Sequence, residues 1–496
     1  MKKIFVIIFL SSISITSFSK RTERPNIIYI LCDDLGFGDV HALAPKTSKI
    51  PTPNADQLAK EGMIFRDAHS GSSVCSPTRY GIITGRYSWR TRLQSGVLKG
   101  HHPNLIAPER ATVASHLKAL GYHTAILGKW HLDFQYKNHK TGELIKKGKT
   151  EIGTIIVDGP TTRGFDYFHG FHHAGSMKTV IENGKIIAVE DEINMLPRLT
   201  KKSVEYIHER AKHKDTPFFL YLPLGSPHAP ILPSKEWQGK SGLGDYGDFV
   251  MQTDNVLGEI TKALAQHNLT ENTLIIFTSD NGCSKAAGID DLANKGHIVS
   301  AYMRGSKADL WDGGHRIPFI VKWPKLVKAG TESNELICLT DLFATVADIT
   351  QTKLPQGSAE DSFTFLPALR GKTLTSERKG VIHHSISGHF GYRQGKWKLL
   401  LSRGSGGWTA PKESQVKVGT SEAQLYDLEA DPSETNNLYK QKPEIAQKLL
   451  KDLEYDIEHG YTRNGANTKN DISDIKLWKS GRGDAKAPEK PASKKK

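Results

Sequence analysis

The chain has 496 residues, 38% of them hydrophobic and 24% charged, which is enough apolar content to bury a large core and excludes a disordered or collagen-like polymer. Its formal charge of +14 is concentrated at the ends: residues 476–496 hold eight Lys and Arg against Asp484 and Glu489, Lys2 and Lys3 add two more, and the body keeps +6. That mild excess suits a small anion or a polyanionic glycan, not a nucleic acid.

Lys2-Lys3, an apolar run at residues 4–10 and small polar residues ending Ser17-Phe18-Ser19 have the layout of a secretory signal cleaved near Ser19. The run is too short for a membrane span, which needs about 20 apolar residues, so no stable membrane insertion is expected. The mature protein is expected in the periplasm or outside the cell. Cys32, Cys75, Cys283 and Cys338 are too few for a disulfide scaffold.

Four apolar runs end abruptly in polar or glycine-rich turns. Residues 26–31 run into Cys32-Asp33-Asp34, 124–127 into Gly128-Lys129-Trp130-His131, 218–222 into a turn reaching His228, and 274–278 into Ser279-Asp280-Asn281-Gly282. Buried parallel strands have this pattern, and helical periodicity at 111–120 and 249–266 separates them. The alternation predicts an α/β fold with a mostly parallel sheet and a ligand site outside the carboxyl ends of the strands. After about residue 375 the runs at 381–385, 390–393, 396–401 and 424–428 are short and glycine-punctuated, and a final helix is predicted near 443–459. The expected division is a signal at 1–19, a catalytic unit at 20–375, a smaller α+β unit at 376–475 and a basic, solvated tail at 476–496.

Val74-Cys75-Ser76-Pro77-Thr78-Arg79 opens another apolar run. Pro77 suits the first turn of a helix, whose free N–H groups and positive dipole end favour an anion. Cys75 then lies at that N-terminus, with Arg79 one turn on along the same face. Cys-Ser-Pro-Thr-Arg resembles the Cys-x-Pro-x-Arg signature of the type I sulfatases. Asp33-Asp34, Gly128-Lys129-Trp130-His131, Ser226-Pro227-His228, Asp280-Asn281-Gly282 and Arg304-Gly305-Ser306-Lys307 with Gly313-Gly314 follow that family's order across residues 24–350. Gly395-Lys396-Trp397-Lys398 and Leu425-Tyr426-Asp427-Leu428 resemble its second domain.

The resemblance implies an alkaline-phosphatase-like α/β fold, a smaller C-terminal domain with an antiparallel sheet, and sulfuric ester hydrolysis. It also implies that a formylglycine-generating or anaerobic sulfatase-maturating enzyme oxidises Cys75 to formylglycine, whose hydrated aldehyde is the nucleophile.

Residue chemistry points the same way. Asp33, Asp34, Asp280 and Asn281 are hard oxygen donors at two strand ends, which suits Ca²⁺ better than a thiol-loving metal, with Mg²⁺ left open. An N-cap and a solvated turn would explain Asp33-Asp34 alone; two such pairs in one chain favour the metal, with the residue 75 nucleophile completing the shell. Arg79, Lys129 and Lys307 supply fixed cations against a sulfate. His131 and His228 are the proton-transfer pair, since imidazole titrates near neutral pH. By resemblance, His228 protonates the leaving alcohol or holds the sulfate with Lys129 and Lys307, while His131 deprotonates the second hydroxyl of the formylglycine hydrate.

His101, His102, His172 and His173 are further pocket candidates. Cys32 and Cys283 are read as small packing residues rather than a bridge. Residues 227–248, with Tyr246-Gly247-Asp248, resemble the arylsulfatase A and N-acetylgalactosamine-6-sulfatase branch. That implies a galactose or N-acetylgalactosamine sulfate in a polysaccharide, with Trp408 either against a sugar face or packed in its glycine-rich hairpin. Two other readings are a phosphate or phosphonate ester hydrolase of the same superfamily and an inactive glycan-binding relative. The second of these has no use for His131, His228 and a modifiable cysteine together.

Overall fold

The computed structural model describes residues 24–479 except 147, 149, 376 and 377, so the expected signal and residues 480–496 of the basic tail lie outside the described residues. Five parallel strands form the centre of a 13-stranded mixed sheet, in the order Thr273–Ser279, Asn26–Cys32, Phe218–Pro223, His123–Lys129 and Tyr167–Phe171. Four of them contain the runs read from the sequence. The fifth, Tyr-Phe-His-Gly-Phe, has no unbroken apolar stretch and gives no strand signal. Antiparallel neighbours begin on either side, with Phe319–Lys322 beside Thr273–Ser279 and Thr179–Glu182 beside Tyr167–Phe171.

Four of the central strands carry apolar runs because alternate side chains enter two different cores. Ile27, Tyr29 and Leu31 pack with the helices Cys75–Thr84, Val113–Ala119 and Leu342–Ile349. Ile28, Ile30 and Cys32 pack with Pro53–Lys60, Met195–Arg210 and Asp245–Gln266. The last of these helices begins before the expected residue 249: Asp245 and Asp248 favour its positive end, and Tyr246 is buried.

The C-terminal part is an antiparallel sheet of Val381–His384, Phe390–Gln394, Trp397–Leu400 and Gln424–Asp427. Helix Pro443–Glu458 lays Ala446, Leu449, Leu453 and Ile457 against it. The same apolar cluster takes in Tyr87, Trp89 and Cys338, so the two parts share a continuous core. No helix among the described residues is long and apolar enough to cross a membrane.

Candidate active site

Functional side chains follow the carboxyl ends of all five parallel strands. Backbone pairing continues past the strands: the Asp280 N–H donates to the Cys32 carbonyl and the Asp33 N–H to the Ser226 carbonyl, which sets these segments side by side. Asp34 turns the chain at a φ of 67°, a left-handed conformation that aspartate tolerates. A Cβ on Gly128 would lie 2.0 Å from the Pro223 carbonyl oxygen, so only glycine lets the strand bearing Lys129 close on its neighbour.

Cys75 starts a wholly buried helix, and Arg79 follows one turn on. The Arg79 guanidinium donates from Nε and Nη2 to Asp280 Oδ2 at 3.0 and 2.7 Å, and from Nη1 to the Lys129 carbonyl at 3.0 Å. Lys129 Nζ donates to Asp33 Oδ2 at 2.6 Å. Lys307 Nζ donates to Asp34 Oδ1 and Oδ2 at 2.6 and 2.7 Å and lies 3.7 Å from Cys75 Sγ. Asn281 Nδ2 donates to Asp34 Oδ1 at 2.8 Å, and His228 Nε2 faces Asp34 Oδ2 at 3.6 Å. Within this set only the His228 side chain, 20% exposed, reaches solvent appreciably.

Asp33 Oδ1 and Asn281 Oδ1 are buried without a hydrogen-bond partner. Asp33, Asp34, Cys75 and His228 each place a ligand atom within 4.8 Å of the others. Buried oxygens left without a proton donor, beside two further carboxylates, fit a hard divalent cation. Burial alone would raise the Asp33 carboxyl, but Lys129 foremost, then His228, Arg79 and Lys307, hold it well below the usual carboxylate range. Asp280 moves the other way, up to about 7, because burial and the Asp33 charge outweigh Arg79. A cation shared by the two carboxylates removes that conflict.

Burial pushes the Cys75 thiol up to about 12 against the pull of Lys129 and Lys307. As a plain cysteine it is protonated at neutral pH and a poor nucleophile.

The histidine tautomers follow from their acceptors. His131 Nε2 lies 2.9 Å from the Leu98 carbonyl oxygen, which only accepts, so Nε2 carries the proton. His131 Nδ1, buried without a partner, keeps its lone pair, and burial together with Lys129 holds the ring neutral. His228 is the reverse: Nδ1 donates to the Ala229 carbonyl, which leaves Nε2 toward Asp34. The His173 ring stacks on His131 with centroids 5.8 Å apart, and its Nδ1 lies 2.9 Å from His172 Nδ1. His101 packs on Tyr136 instead, and His102 is exposed.

All four cysteines are free and buried; Cys283 donates to the Tyr246 hydroxyl at 3.1 Å. Trp408 is 36% exposed, and its loop is held by Asp309, which accepts from the Trp408 and Thr409 N–H groups.

The sulfatase family model matches residues 25–352, and the model for the C-terminal part of N-sulphoglucosamine sulphohydrolase matches residues 306–459. The chain belongs to the sulfatase family. An N-acetylgalactosamine-6-O-sulfatase of Bacteroides thetaiotaomicron is 33% identical over 497 residues, covering 88% of this chain and 93% of the relative. Human arylsulfatase A is 30% identical and covers 86% of each chain. A solved Bacteroides thetaiotaomicron 6S-sulfatase structure, from work on the metabolism of multiple glycosaminoglycans, covers 88% of this chain and 99% of that one at 30% identity and a TM-score of 0.75. This sulfatase is a sulfuric ester hydrolase of the arylsulfatase A and N-acetylgalactosamine-6-sulfatase branch.

Two supporting residues of the sulfatase site carry no sequence signal. Asp133 accepts from the Gly100 N–H at 2.9 Å and from Arg92 Nη2 at 3.1 Å, and faces His172 Nε2 at 3.4 Å. It thereby fixes the loop that presents the Leu98 carbonyl to His131. Asp39 accepts from the Tyr246 hydroxyl at 2.5 Å and faces His297 Nε2 at 2.8 Å, which ties the turn after Asp34 to two distant segments.

Proposed function

We propose that this sulfatase removes sulfate from a galactose or N-acetylgalactosamine sulfate in a glycan, that it works with Ca²⁺ and with formylglycine at position 75, and that it acts in the periplasm or outside the cell. The observation carrying this reading is the buried convergence of Cys75, Arg79, Lys129 and Lys307 on the oxygen set of Asp33, Asp34, Asp280 and Asn281. The names of the N-acetylgalactosamine-6-sulfatase relatives support the sugar, and the layout of residues 1–19 supports export.

Asp33, Asp34, Asp280 and Asn281 are the residues that would hold Ca²⁺, which supplies positive charge opposite the sulfate oxygens when bound. The formylglycine hydrate supplies an oxygen nucleophile in place of the thiol. Lys129 and Lys307 are held in place by Asp33 and Asp34 and present fixed ammonium groups to the sulfate without reorganising. Arg79 holds Asp280 aimed into the site through its two hydrogen bonds to Oδ2. His228 Nε2, when protonated, gives its proton to the departing sugar oxygen, and the Ala229 carbonyl orients the ring. His131 Nδ1 is the lone pair available to take a proton at residue 75, with its tautomer set by the Leu98 carbonyl.

The test is a panel of defined sulfated saccharides, assayed with protein co-produced with a maturating enzyme. Sulfate release from galactose or N-acetylgalactosamine sulfates is expected. Turnover of only other sugar sulfates would overturn the substrate assignment, and faster cleavage of phosphonate esters would overturn the activity.

A further inference from the structure

The loop of residues 91–103 runs along the edge of the active site. Its Leu98 carbonyl accepts from His131 Nε2, and the Leu98 N–H donates to Ser76 Oγ at 3.1 Å, one residue from Cys75. Lys99 follows directly and is exposed.

Four residues before Leu98, at most about 14 Å of chain away, the loop meets a second basic segment. A Cβ on Gly388 would lie 2.5 Å from the Gln94 carbonyl oxygen and 3.5 Å from Lys479 Nζ, so that ammonium sits beside the loop. The Gly96 N–H donates to the Ile386 carbonyl at 2.7 Å and fixes the loop on the turn that carries Gly388.

The charges on this rim are unanswered. Arg92 pairs with Asp133 at 3.1 Å, and the catalytic cations Lys129 and Lys307 are buried on Asp33 and Asp34. Lys99, Lys476 and Lys479 have no salt-bridge partner among the described residues. Burial first, then the Lys476 charge, hold the Lys479 ammonium below its usual range against the pull of Asp474. Residues 480–496, with six Lys and Arg against Asp484 and Glu489, continue the chain from this place. The groove beside Ser306 and Thr409 instead sets Asp290 and Asp291 against the single cation Lys285. A polyanion leaving the pocket is therefore repelled there and drawn over Lys99.

We propose that the rim formed by Lys99, Lys476 and Lys479 binds a second sulfate of the substrate, on a sugar beyond the one being desulfated. The inference rests on the reading of the substrate as a sulfated glycan, and it makes a chain with repeated sulfates the preferred substrate over a single sulfated sugar. Exposed ammonium groups act on such a chain within a Debye length of about 8–10 Å, so their effect weakens with salt.

The test is binding without turnover. Cys75→Ala is titrated with a 6-O-sulfated galactan and, separately, with galactose 6-sulfate. Adding Lys99→Glu and Lys476→Glu should raise the Kd for the polymer about tenfold at low salt, leave that for the monosaccharide within about twofold, and lose its effect as salt rises. Lys214→Glu with Lys262→Glu is the control, an equal change of net charge at exposed positions on or beside helices that cover the other face of the sheet. It should leave both affinities unchanged. The proposal is overturned if the Lys99 and Lys476 changes leave polymer binding as it was or weaken both ligands equally, or if the control weakens the polymer as much. A chain that binds neither ligand fails at the pocket, and overturns the substrate reading together with the proposal resting on it.

Discussion

The Lys307 ammonium lies 3.7 Å from Cys75 Sγ yet leaves that thiol protonated, because burial outweighs the nearby charge and holds it at about 12. In the proposed mechanism the side chain at position 75 is the nucleophile, a role that a protonated cysteine performs poorly. Mature protein should show a mass loss of about 18 Da on the Cys75 peptide, the difference between thiol and aldehyde. Cys75→Ala should fold normally and lose turnover. Full activity with an unmodified Cys75 would refute this role.

Arg79 and Asp280 form a wholly buried ion pair, and breaking such a pair from one side costs about 3–5 kcal/mol. Wild type is expected to gain Tm with Ca²⁺, and Asp280→Ala should lose both activity and that gain. Binding to the folded state alone adds about 2.7 kcal/mol of stability at a hundredfold excess over Kd, which is what raises Tm. Calcium-independent Tm and turnover in wild type would contradict the metal assignment.

His228 and His131 should separate by leaving group. A nitrophenolate departs with little acid help, whereas a sugar alkoxide needs a proton in the transition state. His228→Ala should slow a sugar sulfate by about 10²–10⁴-fold and a nitrophenyl sulfate far less. His131→Ala should slow both alike if its Nδ1 serves the residue 75 side chain as proposed. Equal penalties at His228 would remove it as the general acid.

Buried His131 and His172 and half-buried His173 share one cluster, and burial first, then neighbouring cations and one another, depress all three against the opposing pull of Asp133 on His172 and His173, His173 to about 4. The unfolded chain binds protons on these rings below about pH 6.5 while the folded chain resists them, so their contribution is present above that pH and lost as pH falls. Tm should drop steadily from about pH 6.5 toward 4, and His173→Gln should flatten the drop. A Tm independent of pH over this range would show that the cluster does not control acid stability.

What the sequence determined about this protein is the set of chemical groups at the strand ends. A strand buried on both faces favours an apolar run, so Asp33, Lys129, His228 and Asp280 stand out as the first charged or histidine residues beyond four such runs. Signals of that kind need only the local chain. The strand Tyr167–Phe171, with a glycine and a histidine inside it, lacked one, although it carries His172 and His173 to the site.

Tertiary structure alone decided the tautomers and the partners. Leu98 sets the proton on His131 through a backbone carbonyl, which no side-chain pattern records. Asp133 acts on a loop 33 residues away, and His69 meets His315 across 246 residues. Contacts of that range form only when separate elements pack, so their geometry depends on how those elements close on one another rather than on the spacing of residues along the chain.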